Sequence, residues 1–98
     1  MSKENFNNKA VFLDRDGVLN KVILKNGRPY PPSNILELKL CEGVEEGLYK
    51  IKSKGYLLIG VTNQPDVSRG KTTKEMVEEI NNSLLRSLPL DDIKTCFH

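Results

Sequence analysis

The chain has 98 residues, 29% of them charged and 38% apolar, with a formal charge of +2. That length allows one small domain, which buries somewhat over ~60% of the surface its unfolded chain exposes, and the composition argues against intrinsic disorder. The small, evenly spread charge gives no basis for a nucleic-acid partner. No apolar run approaches the ~20 residues that span a bilayer. Two cysteines, Cys41 and Cys96, make no disulfide framework, so a reducing cytoplasm is the expected setting.

Residues 1–9 carry no periodicity and no apolar stretch of the kind a secretion signal needs, and read as a polar leader. Ala10-Val11-Phe12-Leu13 is a short apolar run that stops at Asp14, as expected of a strand buried on both faces. Arg15 to Leu40 reads as a long irregular loop or lid, with Gly17, Gly27, Pro29, Pro31 and Pro32 as its punctuation. Leu36 and Leu38 alternate with polar residues and suggest a brief extended piece within it. Glu42 to Lys54 is predicted to be helical. Val44, Leu48 and Ile51 form one apolar stripe, Glu42, Glu45 and Glu46 lie in the first turn, and Gly55 is placed as the stop.

Tyr56 to Val61 is a second predicted buried strand, ending at Thr62-Asn63-Gln64. A second helix is expected from about Thr72, where Thr72 and Glu75 have capping-box spacing. Its stripe is Met76, Ile80, Leu84 and Leu88, supported by Val77 and Leu85, and Pro89 closes it. Ile93 to Cys96 reads as a third strand. Strands alternating with helices predict a parallel sheet with right-handed crossovers, the doubly wound α/β class, here reduced to about three strands and two helices.

Ligands of open α/β sheets bind beyond the carboxyl ends of the strands. The first strand ends in Asp14-Arg15-Asp16-Gly17, so two carboxylates at i and i+2 can face the same way. They repel one another unless a cation intervenes, and a few hard oxygen ligands suit Mg²⁺. Thr62 and Asn63 would offer a hydroxyl and an amide to an anion. Singly, these are ordinary turn and loop-cap residues; their joint placement directly after apolar strands is what points to a site.

The segment Val11 to Asn20 resembles the first motif of the haloacid dehalogenase (HAD) phosphatases. Val61-Thr62-Asn63-Gln64, followed by Ser68-Arg69-Gly70, resembles the second. Together they are typical of the subgroup that includes phosphatases of heptose 1,7-bisphosphate and of histidinol phosphate. Cys96-Phe97-His98 resembles the first half of that subgroup's four-ligand zinc loop. The resemblance implies a Mg²⁺-dependent phosphatase of a small phosphorylated metabolite, a sugar bisphosphate foremost and histidinol phosphate as the alternative, with a place in carbohydrate metabolism. Asp14 would be the nucleophile that forms an aspartyl-phosphate, and Asp16 the general acid and base. Asp14 and Asp16 would both hold Mg²⁺, and Thr62 and Asn63 would bind the phosphoryl group. Arg69 either reaches a substrate anion or is a solvated loop cation.

Residues 1–98 would then be the N-terminal portion of a single HAD-like domain, with the family's third and fourth motifs, a lysine and an acidic metal ligand, beyond His98. Cys96 and His98 are two of four zinc ligands, so Zn²⁺ is expected only where the remaining ligands follow. The 98-residue chain alone is expected to be inactive and to associate through an exposed sheet edge, as a homodimer or with a covering segment. Two other readings stand beside the enzyme. One is a truncated remnant that binds phosphate or a partner without turnover. The other, a receiver domain phosphorylated on Asp14, is disfavoured by Asp16 and the Thr-Asn-Gln strand end.

Overall fold

A computed structural model of the chain describes residues 9–97; most of the polar leader read over residues 1–9 lies outside them, as does His98. The elements, in order, are β1 (Ala10–Asp14), β2 (Ile23–Lys25), β3 (Arg28–Tyr30), a short 3-10 helix (Ile35–Glu37), α1 (Val44–Lys52), β4 (Leu57–Asn63), α2 (Lys74–Ser87) and β5 (Asp92–Cys96). The main sheet is parallel throughout, in the order β1-β4-β5. The pairing Asp14↔Val61 aligns the ends of β1 and β4, and Asn63↔Cys96 aligns those of β4 and β5.

The order β1-β4-β5 steps across the sheet in one direction, and right-handed crossovers then put both helices on the same face. One hydrophobic cluster confirms this placement. Leu48 from α1, Ile80 and Leu84 from α2, and Leu58 from β4 are all buried together with Leu19 and Leu88, and Val11, Leu13 and Ile93 pack against them. Residues alternating with these along the strands face the other side, where Phe12 is 66% exposed and Leu57 is 37% exposed. Burial of β1 on both faces is therefore corrected: it is an edge strand with one covered face, because no described element lies over the other. β5 is the opposite edge, so among the described residues two strand edges lie open where one was expected.

The segment after β1 is more ordered than its proline content suggested. β2 and β3 form an antiparallel hairpin across Asn26-Gly27, with φ of 52° and 76°. Positive φ at both central residues is the condition for a type I′ turn, whose twist matches that of the flanking strands. Leu36 lies in the 3-10 helix and not in an extended piece. The cap of α2 also moves by one residue. Thr73, not Thr72, accepts the Met76 N–H at 3.1 Å, while Thr72 donates its hydroxyl to the Ser33 carbonyl. As a result Val77, with 2% exposure, replaces Met76, with 40%, at the start of the buried stripe.

An ion pair holds the far end of the sheet. Lys52 of α1 donates to Asp91 at 2.6 Å, and Asp91 also accepts the Leu58 N–H at 2.7 Å. Partial burial pushes the Asp91 pKa up, but the Lys52 hydrogen bond, the Leu58 N–H and the Lys52 charge outweigh it and leave the pKa lowered. A depressed folded-state pKa means stability that is present above the ordinary value of 3.8 and lost as pH falls through the folded value. Asp91→Asn is accordingly expected to cost ~0.5–1 kcal/mol at pH 7, a figure reduced because both side chains are about a third exposed. The difference from wild type should shrink to nothing as the pH falls below the folded pKa. Urea unfolding at pH 7 and at acid pH measures it, and a pH-independent difference would contradict the assignment.

Candidate active site

The chain after Asp14 turns sharply back over the end of the sheet. Gly17 takes φ of 96°, a conformation open to glycine but strained for other residues. Its N–H donates to the Asn20 carbonyl at 2.7 Å, and the Arg15 carbonyl accepts from both Leu19 and Asn20. The Arg15 N–H continues the β1–β4 ladder to the Val61 carbonyl at 2.8 Å. Leu19 then plugs into the core with no exposure, so the turn is anchored by the same cluster that packs the helices.

This arrangement brings four of the expected residues together. Asp14, Asp16, Thr62 and Asn63 line one cavity of about 380 Å³, along with Arg15 and Val61. Among the described residues the Asp14 carboxylate accepts no side-chain hydrogen bond and joins no ion pair, which leaves both its oxygens available. The two carboxylates thus differ sharply. Asp16 Oδ1 accepts from Arg15 Nε at 3.2 Å, Arg15 Nη2 at 3.0 Å and Asn20 Nδ2 at 3.1 Å. Its Oδ2 accepts from Thr62 Oγ1 at 2.8 Å and Gln64 Nε2 at 3.0 Å. Charge-assisted bonds of this kind are about twice as strong as neutral ones.

Thr62 has one hydroxyl proton, and here it goes to Asp16, while the oxygen accepts from Gln64 at 2.6 Å. Asn63, exposed at the strand end, is the polar side chain left to meet an anion directly. Arg69 is not brought to this cavity. It lies on the surface turn after β4, 62% exposed, with Nη1 3.3 Å from Asp66. Cys96 is an exposed free thiol at the end of β5, and its proposed zinc partner His98 lies outside the described residues.

Arg15, Asn20, Gln64 and Asn81 were not singled out from the sequence. Arg15, Asn20 and Gln64 are at most 1% exposed. For Gln64 the available signal was its i+2 spacing from Thr62, which places both on one face of the strand. The amide nitrogens of Asn20 and Gln64 point at Asp16, and their oxygens accept nothing among the described residues.

Mg²⁺ is usually held by one or two carboxylates together with waters and substrate phosphates. Asp14, whose carboxylate accepts no side-chain hydrogen bond among the described residues, fits one such ligand. No group of three or more His, Cys, Asp or Glu side chains converges among the described residues, so these residues supply part of such a site.

The parallel three-stranded sheet and its strand-end cavity define a small HAD-like α/β unit. It superimposes on a putative HAD-like phosphatase from Mesorhizobium loti with a TM-score of 0.75 and 25% identity, covering 93% of this chain and 43% of that one. It also matches the crystal structure of D,D-heptose 1,7-bisphosphate phosphatase from B. bronchiseptica complexed with magnesium and phosphate. There the TM-score is 0.76 at 23% identity, over 92% of this chain and 50% of the other, which shows the shared fold. In sequence, the chain is 36% identical over 96 residues to D-glycero-beta-D-manno-heptose-1,7-bisphosphate 7-phosphatase of Haemophilus ducreyi, covering 92% of this chain and 50% of the relative. The chain is thus similar to the heptose-bisphosphate phosphatases and spans about half the length of the curated relatives it matches. No protein-family model matches it.

Proposed function

We propose that the chain carries the nucleophile and phosphate-binding ends of a Mg²⁺-dependent phosphomonoester hydrolase acting on a small phosphorylated metabolite, a sugar bisphosphate such as heptose 1,7-bisphosphate. The observation that supports this is the contrast within one cavity between an unengaged carboxylate, Asp14, and a five-fold hydrogen-bonded one, Asp16, flanked by Thr62 and Asn63. A nucleophile needs a free oxygen, and an acid–base group needs a fixed orientation.

In this reading Asp16 first exchanges one of the donors on its Oδ2 for a proton. An Asp14 oxygen then bonds to phosphorus as the bond to the leaving oxygen breaks, and Asp16 delivers that proton to the leaving oxygen. Water then attacks the aspartyl-phosphate and gives its proton to Asp16, which releases inorganic phosphate and restores Asp14. Asn63 donates to the phosphoryl oxygens, joined by Thr62 when its proton is turned from Asp16. Arg69 stays a candidate for contact with a more distant substrate anion. Asp14 and the backbone carbonyl of Asp16 would hold Mg²⁺, which supplies charge neutralisation between carboxylate and phosphate. A reducing cytoplasm fits the two free cysteines.

A second reading, phosphate binding without turnover, draws on the charge of the cavity. Its one cationic side chain, Arg15, is fully buried and committed to Asp16 and Asn81. Phosphate release measured on the 98-residue chain, and on the protein with whatever sequence its gene carries after His98, separates the readings. The full gene product is expected to turn over heptose 1,7-bisphosphate at ~1–10³ per second and in preference to histidinol phosphate. The 98-residue chain is expected to show negligible turnover in excess Mg²⁺. Absence of turnover by the full gene product on every phosphomonoester would leave the binding reading.

A further inference from the structure

Arg15 is the largest fully buried side chain of the described residues, and burying a guanidinium is costly unless its donors and its charge are both matched. Asp16 matches the charge through Nε and Nη2. The remaining edge, Nη1, donates to Asn81 Oδ1 at 2.9 Å, 66 residues away on α2. Asn81 in turn donates from Nδ2 to Thr95 Oγ1 on β5 at 2.9 Å. Arg15, which can only donate, fixes which way the amide faces: the oxygen must meet Nη1, and the nitrogen is left for Thr95 Oγ1, which can accept. Asn81 is 8% exposed within the apolar stripe of α2, between Val77 and Leu84. A neutral acceptor there meets Nη1 without offering a second negative charge, so Asp16 is the one carboxylate paired with Arg15 among the described residues.

We infer that Asn81, anchored by Thr95, is a positioning residue for Asp16 and acts on it through Arg15. This rests on the reading of Asp16 as the acid–base group. A network that merely stabilises the fold would affect every substrate alike. One that orients Asp16 matters most where the leaving oxygen needs a proton, as a sugar alkoxide does and nitrophenolate does not.

The test compares kcat and KM of the full gene product on heptose 1,7-bisphosphate and on p-nitrophenyl phosphate, for wild type, Asn81→Ala, Thr95→Val and Asp16→Asn. Asn81→Ala is expected to lower kcat on the sugar phosphate about 10-fold more than on the nitrophenyl ester, with KM little changed. Thr95→Val, which removes only the distant anchor, should give the same selectivity at about 2- to 3-fold, and it carries the test if Asn81→Ala does not fold. Equal losses on both substrates in both variants, with a selective loss in Asp16→Asn, would overturn the inference alone. Equal losses in Asp16→Asn, or no wild-type activity on either ester, would overturn the acid–base reading and this inference with it.

Discussion

If the proposed phosphatase reading holds, replacing Asp14 by asparagine is expected to abolish phosphate release by the full gene product, by about 10³-fold or more, while leaving its unfolding transition unchanged. The amide has the size of the carboxylate but no nucleophilic oxygen. The structural cost is small because the described residues place no hydrogen bond or ion pair on this carboxylate, and Asp14 is exposed at the end of β1. The local backbone is held independently by the Asp14↔Val61 pairing and the Arg15 N–H bond to the Val61 carbonyl. Stability should stay within ~0.5 kcal/mol, as for other substitutions away from packed or paired groups. Phosphate-release kinetics and urea unfolding of the same preparation check both halves of the expectation. Turnover close to wild type would exclude Asp14 as the nucleophile, and a collapsed transition would show that it holds the strand end together.

Ile80→Ala is expected to have the largest effect on folding. Ile80 has no exposure and lies in the cluster that joins α2 to Leu58 of β4, Leu48 of α1 and Leu19 of the site turn. Removing a buried Ile side chain costs ~2–5 kcal/mol, the transfer term plus the cavity left behind. A core this small supplies only ~3–5 kcal/mol of net stability, so the two figures nearly cancel and a large fraction of the 98-residue variant should be unfolded at 25 °C. Circular dichroism and urea titration would show this as a lost or much earlier transition. A midpoint within experimental error of wild type would mean that the core closes around the gap or that stability comes from elsewhere.

The open face of the sheet was legible only in part. Counting three strands and two helices against a complete sheet suggested that some apolar surface would be uncovered. It did not say which, because β1 reads as continuously apolar whether covered once or twice. The hairpin was legible and passed over: Asn26-Gly27 is a strong two-residue turn signal, hidden by the prolines that follow it. The start of α2 was misplaced by one residue because Thr72 and Thr73 both have cap chemistry. Packing decides between them, since capping at Thr73 accompanies Val77 and Ile80 in the core while Thr72 ties α2 to the Ser33 loop.

By itself the sequence determined the helices, the parallel strands and the four residues at the strand ends, because local periodicity and abrupt apolar-to-polar boundaries are written in neighbouring residues. Tertiary structure alone decided the hydrogen-bond partners of Arg15, Asn81, Gln64 and Thr95. Arg15 and Asn81 stand 66 residues apart in the chain, and nothing local marks either as the partner of the other. Their pairing follows from burial, which forces each polar atom to find a donor or acceptor wherever the fold supplies one. The distinction between Asp14 and Asp16 has the same origin. The two carboxylates are chemically alike and two residues apart, and only the side chains arriving from β4 and the turn leave one free and fasten the other.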